Sequence, residues 1–189
     1  QWGGSGANNA VYLSCEITLH GGLAALLHPG EVDDGEALIR HNLLYPVLGG
    51  IGFEAAFVPQ ANLKHVDLIL FLYDGSRRYD YQARYDHVNG QVQVCIPGDE
   101  YPPVGAPGRM AEGWHSHCMM KVVANSETGK YARVMFNGHT YDASEHEVYS
   151  SVDTDTRPSM VAYIAVRNTG AHLVDVPVDC AIVTQNEPV

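Results

Sequence analysis

The stretch from Trp114 to Asp142, WHSHCMMKVVANSETGKYARVMFNGHTYD, alternates apolar and polar residues in HSHCMMKVVA and again in YARVMF. A period of two marks a half-buried strand, because successive side chains of an extended chain point to opposite faces. NSETGK between the two runs is dense in turn formers. Asn137-Gly138 has the sequence of a tight hairpin turn, whose two central residues must accept positive φ. The spacing predicts three strands joined by two turns, and an all-β chain around them.

Other segments repeat the pattern. VYLSCEITLH (11–20) places Val11, Leu13, Cys15, Ile17 and Leu19 on one inward face. EALIRHNLLYP (36–46) is rich in helix formers but is stopped by Pro46 and Gly49-Gly50, so a short helix and a short strand fit equally. GIGFEAAFVP and HVDLILFLYDG read as strands, and RRYDYQARYD pairs with GQVQVCI across Val88-Asn89-Gly90. EHEVYSSV, SMVAYIAVRN and LVDVPVDCAIVTQ follow, the second as a buried strand and the third as an edge strand. Residues 97–113 carry four prolines and four glycines, which places them over the sandwich or at its rim. Roughly ten to twelve strands with long crossings predict two antiparallel sheets packed face to face. One domain covers 1–189, with residues 1–10 as a flexible Gly-rich arm.

With 11 basic and 22 acidic residues the formal charge is −11, which repels nucleic acid and anionic membrane surfaces. No apolar run is long enough to span a bilayer, LILFLY being the longest kind present. QWGGSGANN at the start has neither the basic opening nor the apolar core of a signal peptide, though it fits a processed end. Cys15, Cys95, Cys118 and Cys180 are too dispersed for a zinc ribbon. Free thiols are the preferred reading, with a disulfide between Cys15 and Cys180, in the first and last strands, as the alternative.

The succession Trp114-His115, Lys121-Val122-Val123, Thr128-Gly129-Lys130-Tyr131, Phe136-Asn137-Gly138 and Tyr141-Asp142, closing on Val178-Asp179-Cys180-Ala181-Ile182-Val183-Thr184, resembles the second half of concanavalin-A-like, laminin-G-like jelly rolls. More narrowly it resembles an uncharacterised bacterial jelly-roll family of that superfamily. The resemblance spans about residues 10–187 and implies a jelly-roll sandwich. It is weak for function, since the superfamily includes lectins, glycosidases, lyases and adhesion modules. It also implies a structural calcium ion near the terminal strands, with Asp179 and, less well placed, Asp175 as carboxylate ligands. Asp33-Asp34 and Asp153-x-Asp155 are further oxygen-rich loops.

In RRYDYQARYD, alternation puts Arg78, Asp80, Gln82, Arg84 and Asp86 on one face and Tyr79, Tyr81 and Tyr85 on the other. Polar groups about 7 Å apart match sugar hydroxyls, and tyrosines such as Tyr85 offer stacking faces. The alternative is a tyrosine row in the core beneath a salt-laced solvent face. His115 and His117 share one strand side and suit a metal or a polar site, yet no third ligand follows by spacing. Trp114 is a core or rim anchor or a sugar platform.

No paired-carboxylate glucanase motif is present, and Glu145 with Glu147 reads as a solvated edge. Tyr85, Arg84 and His115 are the residues from which a lyase would be built. The preferred function is glycan recognition without catalysis on the concave sheet, outside the cytoplasm. A glycosidase or polysaccharide lyase is the first alternative. The second is a structural protein whose homo-oligomer pairs the N-terminal arm with a neighbour's sheet edge.

Overall fold

The computed structural model describes residues 2–5 (by their backbone), 9–15, 23–113, 116–170 and 175–189. Fifteen strands and no helix occur among them: β1 (Trp2–Ser5), β2 (Ala10–Ser14), β3 (Ala24–His28), β4 (Glu36–Leu43) and β5 (Gly50–Phe57). β6 (Leu63–Tyr73), β7 (Arg77–Asp86), β8 (Gln91–Val94), β9 (Pro103–Gly105) and β10 (Cys118–Asn125) come next. β11 (Lys130–Phe136), β12 (His139–Asp142), β13 (Tyr149–Val152), β14 (Ser159–Asn168) and β15 (Val176–Gln185) complete the chain. One sheet has the order β1-β4-β14-β6-β7-β8-β9, with β13 also on β7; the other has β12-β11-β10-β5-β15-β3-β2. Every pairing is antiparallel, giving the expected two-sheet sandwich.

The Asn137-Gly138 turn joins β11 to β12 with φ of 48° and 82°, as a tight hairpin turn requires. The ambiguous 36–46 segment is strand β4, whose Ala37 and Ile39 face Val166 and Ile164 of β14. Between the sheets, Leu68, Leu70 and Leu72 of β6 meet Phe53, Val122 and Val134 of the opposing sheet in one core.

Three expectations are corrected, and the alternative of a disulfide is removed. Residues 2–5, expected within a flexible arm, form β1 and pair with Glu36–Ile39 of the same chain as the first strand of their sheet. Leu13 is 67% exposed and Cys15 is exposed, because β2 is the outermost strand of its sheet. β15 is an interior strand, between β5 and β3. That arrangement also separates Cys15 from Cys180: β3 lies between their strands, and two interstrand spacings of about 4.8 Å exceed the reach of a disulfide. All four thiols are free.

The last residues fold back over the second sheet. Glu187 takes hydrogen bonds from Lys121 Nζ at 2.5 Å and Arg133 Nη2 at 3.2 Å, and its backbone N–H donates to Gly50 O at 3.0 Å. A Cβ at Gly50 would collide with the Glu187 carbonyl. Gly50→Ala is therefore expected to lift this strap and cost about 2 kcal/mol. Denaturant unfolding read alongside Glu187→Gln checks it; a full additive loss in the double variant would contradict a shared origin.

Candidate functional site

The outward side chains of β4, β14, β6, β7 and β8 share one face of the first sheet, and strand register sets them in rows. Asn42, Val161, Phe71 and Asp80 form one row. Arg40, Tyr163, Ile69 and Gln82 form the next, followed by Leu38, Ala165, Asp67 and Arg84. Glu36, Arg167, His65 and Asp86 close the series. From His65 to Phe71 the face extends about 20 Å along β6.

One end is aromatic. Phe71 and Tyr163 meet edge to face, with centroids 5.0 Å apart and planes at 65°, and both are partly exposed. The Arg78 guanidinium lies 4.9 Å from the Phe71 centroid and that of Arg40 lies 5.7 Å from Tyr163. Cations over ring faces are drawn by the ring quadrupole. Together they frame the two rings from opposite sides.

The guanidinium groups are held in place. Arg78 Nε and Nη2 donate to the two oxygens of Asp80 at 2.7 and 2.8 Å. Arg84 does the same to Asp67 at 2.7 and 3.0 Å, and its guanidinium carbon is 3.7 Å from the Tyr101 centroid. Such two-point pairs fix orientation as well as charge. Burial raises the pKa of Asp80 against the opposing pull of Arg78. Burial also works against the charge on Arg84, but the bonds to Asp67 outweigh it and raise its pKa.

The other end is a polar recess of about 400 Å³ lined by His65, Arg84, Asp86, Asn89 and Arg167 among others. His65 is 5% exposed, its Nε2 has no hydrogen-bond partner, and burial pulls its pKa down to about 4. The ring is therefore neutral at pH 7.

Arg78, Asp80, Gln82 and Arg84 stand on this face as alternation predicts. Tyr85 does not, and its expected stacking role is corrected. It is fully buried, stacked on Phe136 at 4.6 Å, and its hydroxyl donates to Gly108 O and accepts from Met110 N. It anchors the 97–113 loop, as does His87 through Arg109 and Glu112. Tyr81 is likewise buried and Tyr79 packs against the core. Arg84 and Tyr85 point to opposite sides of β7, so they cannot form one lyase centre.

Trp114 and His115 lie outside the described residues. His117 lines a narrow crevice with Ala56, Pro177 and Asp179. Asp175 is hydrogen-bonded to His28 Nδ1 at 2.9 Å, and Asp179 accepts from the Cys180 N–H at 2.7 Å. Four residues of extended chain put these carboxylates about 13 Å apart, too far to share a calcium ion whose ligands lie about 2.4 Å from it. No three His, Cys, Asp or Glu side chains converge among the described residues. Asp175 and Asp179 therefore do not converge on one position. Asp33 and Asp153 instead accept backbone N–H groups, and Asp34 pairs with Lys64. Glu145 and Glu147 are exposed.

Sequence reading missed Phe71, Tyr163, Asp67 and His65. For the three on β6 the signal is a period of two, 65-67-69-71-73, hidden because the alternate positions of the strand are apolar as well.

No protein-family model matches the sequence, and no curated protein matches it. Solved structures do. The carbohydrate binding module CBM66 from Bacillus subtilis covers 97% of this chain and 95% of its own, with a TM-score of 0.52 and 8% identity. A sialidase matches over 95% of this chain and 17% of its own, at 0.51 and 8%. The beta-glucanase of Bacillus licheniformis aligns more loosely, at 0.46 and 9%, over 94% of this chain and 87% of that one.

Proposed function

We propose that this chain, whose fold is the concanavalin-A-like jelly roll, binds a glycan on the outer face of its β1-to-β9 sheet and does not cleave it. The partly exposed Phe71–Tyr163 pair, framed by two arginines, carries the reading. Flat apolar rings receive the C–H face of a sugar, while fixed Arg, Asp and Gln groups receive its hydroxyls. The carbohydrate-binding module among its structural neighbours is in keeping with this use of the fold.

Binding without hydrolysis is favoured by the carboxylates. Asp67 and Asp80 are on adjacent strands, four residues out of register, which puts them about 14 Å apart. Glycoside hydrolysis uses pairs about 5–9.5 Å apart. Asp86 is nearer to Asp67, about 8 Å by the same register, but Asp67 and Asp80 are committed to arginines and Asp86 to Asn89. A lyase base needs a phenol that ionises easily, whereas burial raises the pKa of Tyr101 despite the nearby Arg84.

The test is retention on a broad polysaccharide panel by affinity electrophoresis, with reducing ends and unsaturated products assayed in parallel. Retention without product is expected. Phe71→Ala and Tyr163→Ala should each weaken it about tenfold, a loss of about 1.4 kcal/mol, while the melting profile stays cooperative. Retention unchanged in both variants would place any ligand elsewhere, and released sugars would make the chain an enzyme.

A further inference from the structure

The charges on this face are matched. Arg40, Arg78, Arg84 and Arg167 project from it, and so do Glu36, Asp67, Asp80 and Asp86, four of each sign in a chain of net charge −11. Three of the arginines are bonded directly to three of the carboxylates. Arg78 holds Asp80, Arg84 holds Asp67, and Arg167 donates to Glu36 Oε2 through Nε at 3.0 Å and Nη2 at 2.7 Å. The other two charges stand at opposite corners of the face. Arg40 lies over Tyr163 and donates to Asn42, while Asp86 accepts from the backbone and side chain of Asn89.

An acidic sugar entering the recess would meet Asp86 together with arginines that already hold a carboxylate each. To gain a cation partner it must break a two-point pair and leave a buried acid such as Asp67, its side chain 5% exposed, without its counter-charge. A neutral sugar makes no such demand. Its hydroxyls can donate to carboxylate oxygens and accept from guanidinium N–H groups while every pair stays intact. His65 adds a neutral ring whose Nε2 lies 3.4 Å from Asp67 Oδ2.

Resting on the glycan-binding reading, we infer that the ligand is a neutral glycan and that the internally paired charges of the Arg84–Arg167 recess exclude uronate and sulfated glycans. The face discriminates by leaving no arginine of the recess without a carboxylate, and the acidic surroundings of the chain reinforce this at long range.

Matched probes test it: mannan, galactan, starch and swollen cellulose, each beside its C6-oxidised, carboxylate-bearing form. At least one neutral polymer should be retained, and its oxidised form about tenfold less, a gap that narrows only in part as salt screens the outer charges. Glu36→Gln removes the counter-charge of Arg167 while keeping the side chain's shape, and should raise retention of the oxidised polymer several-fold relative to that of the neutral one. Equal retention of both forms by the native chain overturns the charge inference and leaves glycan binding standing. No gain in Glu36→Gln, with its melting profile intact, also overturns it. Failure to retain any polymer of the wider panel removes the glycan reading itself.

Discussion

Tyr131→Phe is expected to lower the unfolding free energy by about 2–4 kcal/mol, although it deletes one oxygen atom. Tyr131 starts on β11 in one sheet and reaches through the core to the other, where it is 1% exposed and packs edge-on against Tyr81 at 5.9 Å. Its hydroxyl sits inside the β7–β8 ladder. Cys95 N–H donates to Gln82 O at 3.0 Å, but the reciprocal bond is interrupted. Gln82 N–H donates instead to the Tyr131 oxygen at 3.0 Å, and the hydroxyl donates to Cys95 O at 2.7 Å. Removing the oxygen strands two buried backbone groups, each costing roughly 1–3 kcal/mol when left unsatisfied. The midpoint of thermal unfolding should fall by roughly 5–12 °C for a chain of this size. A loss below about 1 kcal/mol in denaturant would show instead that β7 and β8 close to remake the direct bond.

Acid should weaken the fold before its carboxylates titrate. His65 is held neutral by burial, with its pKa pulled from 6.5 to about 4. Between those values the unfolded chain binds a proton at this site and the folded chain does not. Stability therefore rises with pH across that interval and is lost on going down from pH 6.5 to 4, by about 3 kcal/mol in total. Below pH 4 both states are protonated and this group adds no further change. His87 is also pulled down by burial, with Glu112 and Arg109 acting in opposite directions, and adds a slope of the same sign. Guanidinium unfolding at a series of pH values measures the slope. His65→Leu should remove the larger part of it and leave the His87 share. An unaltered slope in that variant would mean that His65 is already charged in the native state.

Local chemistry was readable and pairing was not. Asn137-Gly138 declared its turn because few residues other than these accept φ above zero there, and the two faces of β7 followed from alternation alone. Which face looks inward did not follow: tyrosines suit a sugar platform and a core equally, and only the opposing sheet, with Phe57 and Phe136 around Tyr85, decides. The aromatic end of the site was illegible for a different reason. Phe71 and Tyr163 become neighbours through the β6–β14 pairing, a contact between distant segments that no window of sequence contains. Short strands such as β1 and β9 escaped because three or four residues carry too little periodicity to stand out. The 36–46 segment has helix-forming residues, and the sheet edge offered by β14 outweighed their propensity.

The β6–β14 pairing also has a consequence for how the chain is made. β6 leaves the ribosome long before β14, and until then one edge of an eleven-residue apolar strand has no partner. An unpaired strand edge of this kind is a template for association with other chains. Synthesis arrested before Ser159 should thus yield aggregating fragments rather than a smaller soluble domain, and the outer face that carries Phe71 and Tyr163 would come into being late, at a single stroke, when β14 slots between β4 and β6.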